Sequence, residues 1–157
     1  MASTDTLSDN ANSRPARPPT LLGWRALALF YDLWPAAALW MAASALFLFA
    51  HGNQPLAAWS ALQLLLWLLC WLVTGVYVTL SWRGGGQTLG MRPWRLRVVA
   101  ADGGTPTWRA VMLRYLVGTA SLLLGGLGFW WAWIDRDRLT WHDRASGTRI
   151  RREAKRT

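Results

Sequence analysis

Three stretches of this chain are nearly free of charge: Ala26 to Ala50, Leu56 to Leu80 and Tyr115 to Ile134. A helix needs about 20 apolar residues to cross the roughly 30 Å hydrocarbon core of a bilayer, and each stretch is long enough. Read instead as buried helices of a soluble core, three such blocks in 157 residues would leave too little polar surface to keep a domain in water. His51 to Pro55, HGNQP, is a short turn-forming connection without Lys or Arg, so the first two blocks form an antiparallel helical hairpin. After the second block, Trp94, Leu96 and Val98 alternate with Arg95 and Arg97 ahead of the turn Asp102-Gly103-Gly104. That alternation predicts a short strand or hairpin with one basic face. A helix lying in the interface is the competing reading.

The fold class expected is therefore an all-α membrane protein with three hydrophobic segments and a short interfacial β-hairpin or helix between the second and third. The third block carries Gly125-Gly126 and Gly128. Either these glycines break it into two arms that dip into the bilayer and return, or the block is a plain third span. Re-entrant backbone is tolerated only where other helices cover it. A plain span would put the arginine-rich end of the chain outside, against the tendency of basic segments to stay cytoplasmic. We therefore favour both termini on the cytoplasmic side.

Composition sharpens this picture. Of 17 Lys and Arg, none lies inside the three blocks. The net charge of +9 is carried beside apolar spans. We read it as topology and attraction to anionic lipid, and not as nucleic-acid binding, since no groove-reading or base-stacking module is recognisable. Residues 1–20 are polar and Pro-containing and are expected to form a disordered cytoplasmic arm. The block that follows is too long for a signal-peptide core. A membrane domain over 21–150 and a basic tail over 151–157 complete the division. Several of the 13 Trp lie at block edges, as in interfacial belts. Cys70, the single cysteine, is a packing or lipid-facing residue, and Ser121 with Gly125 forms a weak small-xxx-small pair.

Against this background the charged residues near the apolar blocks stand out. Arg25 and Asp32 are seven apart, on one helix face and about 10 Å apart along the axis, too far to pair directly. An acid at this depth costs at least ~2.5 kcal/mol and should face protein or a wet cavity. Pro35 frees the carbonyl of Tyr31 beside Asp32, a pairing that would suit a cation or a proton. Equally, Asp32 would serve as a lock between helices.

In IDRDRLTWHDRASGTR, Asp135, Asp137, His142 and Asp143 match no zinc or calcium spacing, and the interleaved arginines would repel a cation. GGGQTLGMR has Met91-Arg92 where a phosphate loop needs Lys-Ser/Thr. No nucleophile, metal or cofactor set assembles, and the chain is not expected to be an enzyme.

Arg25 heading the first helix, Asp32 within it, the loop GQTLGMR followed by RLRVVAADGG, Arg109, Arg114 and the closing WHDRASGT together resemble the RDD family of bacterial membrane proteins. The resemblance runs from about Trp24 to Ile150. It implies that the family's signature arginine and two aspartates are Arg25, Asp32 and Asp143. Gln87, Thr88, Gly90 and Arg92 in the loop, with Arg109, Arg114, His142, Gly147 and Thr148, are implied as supporting positions. Family loops usually read GQTLGK; here Met91 follows Gly90 and a basic residue comes only at Arg92.

The resemblance also implies a multi-pass protein of the bacterial cytoplasmic membrane, for which cation/proton exchange has been proposed in some members. The expectation is a cluster of Arg25, Asp32, Arg114 and Asp143 at the cytoplasmic interface, with Asp32 as a proton or cation acceptor tuned by Arg25. Three segments are few to enclose a path, so a transporter would be a homo-oligomer. The rival is a non-catalytic scaffold or accessory subunit whose charges lock helices and bind lipid or partner proteins.

Overall fold

A computed structural model describes residues 21–154. The expected N-terminal arm, 1–20, and the last residues of the tail, 155–157, lie outside that range.

The chain runs α1 (Leu22–Ala50), α2 (Ala61–Gly84), β1 (Leu96–Ala100), α3 (Trp108–Leu123), α4 (Leu127–Ile134), α5 (Trp141–Ser146) and β2 (Thr148–Arg152). α1 and α2 are long and apolar enough to cross a membrane. Their outward faces are apolar as well: Trp34, Met41 and Phe49 are 72%, 73% and 74% exposed, surface that suits lipid or another apolar face better than water. The two helices run antiparallel, since Asp32 meets Tyr77 and Trp40 donates to the Thr74 hydroxyl at 2.7 Å. α2 starts later than the apolar pattern does. Ser60 caps it by accepting from the Gln63 amide, and Leu56 to Trp59 remain outside the helix.

The third apolar block is divided. Gly125 and Gly126 adopt φ of +71° and +79°, and the axis turns by 98° between α3 and α4. Left-handed backbone of this kind is accessible to glycine at little cost. The chain thus has two helices able to span, or three if the bent pair is counted as one. Gly125 serves the bend and touches nothing on another helix. Of the Ser121–Gly125 pair, only Ser121 lies at a close helix contact, where it meets Gly128 of α4.

A strand does form, at Leu96–Ala100 and so two residues later than the alternation from Trp94 to Val98, and its partner corrects the expected local hairpin. β1 pairs antiparallel with β2 from the far end of the chain, Leu96 opposite Arg152 through Ala100 opposite Thr148. The Asp102-Gly103-Gly104 turn does form, closed by the Ala100 amide on the Gly104 carbonyl at 2.9 Å. It delivers the chain into α3, where Thr107 caps the helix through the Ala110 amide. Leu96, Val98 and Ile150 share the inner sheet face and pack with Ala28, Met91, Trp24, Trp82 and Trp94. This small core holds the sheet against the start of α1. Met91 lies in it at 6% exposure, whereas Arg92 is exposed, so the two side chains occupy different surroundings.

Candidate functional site

The signature residues separate into two sites. The first centres on Asp143 of α5. Thr140 and Asp143 form a capping box: the Asp143 amide donates to the Thr140 hydroxyl at 3.3 Å, and the Thr140 amide to Asp143 Oδ2 at 3.2 Å. The box fixes the carboxylate between two arginines from different helices. Arg25 Nη1 of α1 donates to Oδ2 at 2.7 Å, and Arg114 Nη1 of α3 to Oδ1 at 2.5 Å. Arg114 also donates to the Thr148 hydroxyl at 2.7 Å, and Thr148 shares a 2.6 Å hydrogen bond with Ser146. The Arg114 guanidinium lies 5.3 Å from the centre of the Trp82 ring. Side-chain exposures of Arg25, Arg114 and Asp143 are 7%, 2% and 0%.

Such an arrangement ties α1, α3, α5 and β2 at one point. Burial alone would pull the Asp143 carboxyl up, but Arg114 and Arg25 outweigh it and hold it well below the usual carboxylate range. His142, next in sequence, packs against Phe129 with ring centres 4.8 Å apart. Burial first, then the positive charge of Arg114, pushes His142 down to about 3, so it is neutral at physiological pH. Its Nδ1 has no partner among the described residues.

The second site centres on Asp32, where the donors are neutral. Oδ1 accepts the Tyr77 hydroxyl at 3.2 Å and the Gly90 amide at 2.9 Å, while Oδ2 accepts the Thr88 hydroxyl at 2.5 Å. Tyr77 in turn accepts the Leu89 amide at 3.0 Å. The GQTLGMR loop is therefore wrapped around one carboxylate on α1. Gly90 makes this possible: a Cβ there would run into the Ala28 carbonyl oxygen and the Asp32 backbone and side chain. Gln87 closes the other side of the loop by donating to the Leu96 carbonyl at 2.8 Å. No ion pair to Asp32 forms among the described residues, and Arg25 is committed to Asp143.

The structure thus brings together Arg25, Arg114, Asp143 and Thr148, with His142 alongside, and brings Thr88 and Gly90 to Asp32. It does not merge Asp32 into the arginine cluster, so the expected single site of four charged residues is corrected to two sites. Asp32 is engaged by two donors of the loop, Thr88 and Gly90, and by Tyr77 of α2, while Arg25 is held by Asp143. Arg92 and Arg109 are exposed, away from both carboxylates' hydrogen bonds. Tyr31 meets Trp94 edge-on at 5.7 Å, Pro35 stays inside α1, and Gly147 terminates α5 with φ of +60°.

Two partners went unread in the sequence. Tyr77 left only a faint signal, a lone phenol within an apolar block. Thr140 was legible, because TWHD places a threonine three residues before an aspartate, the spacing of a capping box. Among the described residues no three His, Cys, Asp or Glu come together as metal ligands.

Two spanning-length helices, a bent apolar helix pair and a small polar cap held by buried Arg25, Arg114 and Asp143 define a small helical module of membrane type. Residues 19–147 match the model of the RDD family, and the chain belongs to that family. No curated protein and no solved structure matches it.

Proposed function

We propose that this protein is a non-catalytic membrane scaffold or accessory subunit, whose buried charges lock a polar cap onto a pair of spanning helices. One observation carries the reading: each carboxylate oxygen of Asp32 and Asp143 already accepts a hydrogen bond from within the chain. A cation site needs acceptors turned toward an open position. Here the surrounding groups are donors. The cap's arginines would meet anionic lipid headgroups, and the module would sit in a bacterial cytoplasmic membrane with its N-terminus inside. Partner proteins would dock on the cap or on the apolar helix faces.

The test compares Asp32→Asn and Asp143→Asn for membrane abundance, detergent-extracted folded fraction and ion flux. A lock predicts loss of folded protein in both, with no flux to lose.

A specific feature favours transport as the second reading. Asp32 has no guanidinium partner and lies between two hydroxyls, Tyr77 and Thr88, that can relay a proton. Such a transporter would use Asp32 as proton or cation acceptor and would act as a homo-oligomer. Inside-out vesicles holding a proton gradient decide between the two readings. If added Na⁺ or K⁺ dissipates the gradient with the wild type and not with Asp32→Asn at matched folded abundance, the scaffold reading falls.

A further inference from the structure

Beyond both signature sites, a cleft of about 580 Å³ opens where α4 ends, lined by Trp131 and Ile134 of α4, by Asp135, Arg136 and Asp137 just after it, and by Trp141 and Arg144 of α5. Its volume is within the roughly 300–1,000 Å³ of small-ligand pockets. We infer that it holds a zwitterionic phospholipid headgroup, its phosphate on the arginines and its ammonium on Asp137.

Depth is the first support. Trp133 and Ile134 at the end of α4 are 57% and 78% exposed, and Trp130 is 55% exposed, a surface suited to acyl chains with indoles at the headgroup boundary. The charged residues follow at once, so the cleft opens at headgroup level. Charge balance is the second support. Two aspartates and two arginines line the cleft, a formal sum of zero, with Arg144 bridging the two aspartates and Arg136 in no ion pair among the described residues. An anionic headgroup would gain nothing from Asp137, whereas a zwitterion matches both signs.

Preorganisation is the third. Asp135, with 6% side-chain exposure, accepts the Leu139 amide at 2.9 Å and Arg144 Nη2 at 2.5 Å, which aims the guanidinium across the cleft. Arg144 reaches Asp137 at only 3.5 Å through that same nitrogen. Its Nη1 and Nε therefore have no protein acceptor among the described residues and remain available to phosphate oxygens. Asp137 is 64% exposed and held by Arg144 only through that long 3.5 Å contact, which leaves carboxylate surface for an ammonium. Trp131 and Trp141, with ring centres 6.2 Å apart and planes at 54°, wall the side where the cation would lie. The inference holds whether the module is a scaffold or a transporter, because neither signature carboxylate lines the cleft.

The experiment is lipid retention by native mass spectrometry on the purified full chain in detergent. The probes are phosphatidylethanolamine, phosphatidylcholine and phosphatidylglycerol with identical acyl chains. Wild type is expected to retain phosphatidylethanolamine about tenfold over phosphatidylglycerol, and Asp137→Asn to erase that preference. Arg136→Gln, at an exposed position, serves as the second variant and should weaken phosphatidylethanolamine retention without unfolding the chain. Equal retention of phosphatidylcholine and phosphatidylethanolamine, both above phosphatidylglycerol, would support the site and show that Asp137 reads the positive charge and not the ammonium hydrogens. Equal or stronger retention of phosphatidylglycerol, or both variants behaving as wild type, would overturn the inference.

Discussion

Asp143 and Asp32 are the same residue type beside the same first helix, yet they are held by different physics. Asp143 is fully buried and its charge is answered by two guanidiniums, from Arg25 and Arg114. Asp32 is half-buried and answered only by two hydroxyls and an amide. The difference lies in what each replaces. In a dry site an ion must be met by an ion and its hydrogen bonds together, and removing either partner strands a charge. Where the carboxylate is only partly buried, neutral donors suffice, and it can organise a loop at lower cost.

Mutation of Asp143 should therefore have the largest effect. Asp143→Asn leaves two buried arginines facing each other and is expected to lose about 3–5 kcal/mol, read as collapse of the folded fraction in detergent. The comparison sharpens if Arg25→Met, Arg114→Met and Asp143→Leu are combined. A triad that serves only as a lock should regain most of the wild-type stability in that triple variant.

Next comes the response to pH. His142 is pushed down to about 3 from its ordinary 6.5, so the unfolded chain binds the proton first. Its contribution to stability is complete above about pH 6.5 and is lost as the pH falls toward about 3. Asp143 acts in the same direction lower down, its contribution present above the ordinary carboxylate pKa and lost below it. Thermal melts from pH 7 to pH 3.5 should fall steadily in the wild type, and His142→Gln should flatten the upper part of that curve.

Asp32→Asn ranks third. The amide cannot accept at both positions, so the Thr88, Gly90 or Tyr77 bond is lost and stability drops by about 1–3 kcal/mol. Proteolysis within 86–92 should speed up before the global melt changes, because the loop loses its anchor first. A drop as large as that of Asp143→Asn would erase the distinction between the two sites. Smallest is Thr140→Ala, which removes half of the capping box and should cost about 1 kcal/mol in the same melt.

Legibility in the sequence followed the range of the interaction. The two long spans were readable from the length of the apolar runs, and Gly125-Gly126 marked a candidate break in the third block beside the alternative of a plain span, since both readings depend on neighbours in the chain. The strand at 96–100 was readable from its alternation, but its partner was not: antiparallel pairing with 148–152 leaves no local mark. The same limit applied to the charges. Arg25 and Asp143 are 118 positions apart, and no pattern in either neighbourhood predicts which carboxylate an arginine will meet.

The sequence by itself determined that this chain belongs in a membrane, that apolar and basic residues alternate after the second block, and that a few charged residues stand where apolar ones would be cheaper. Those are consequences of transfer free energy and backbone propensity, which act residue by residue. Only the tertiary structure decided that the signature residues form two sites, that Asp32 serves a loop and Asp143 a pair of arginines, and that β1 waits for the end of the chain. Each of those outcomes depends on which donors reach a given carboxylate once the helices are packed, and packing compares all the elements at once.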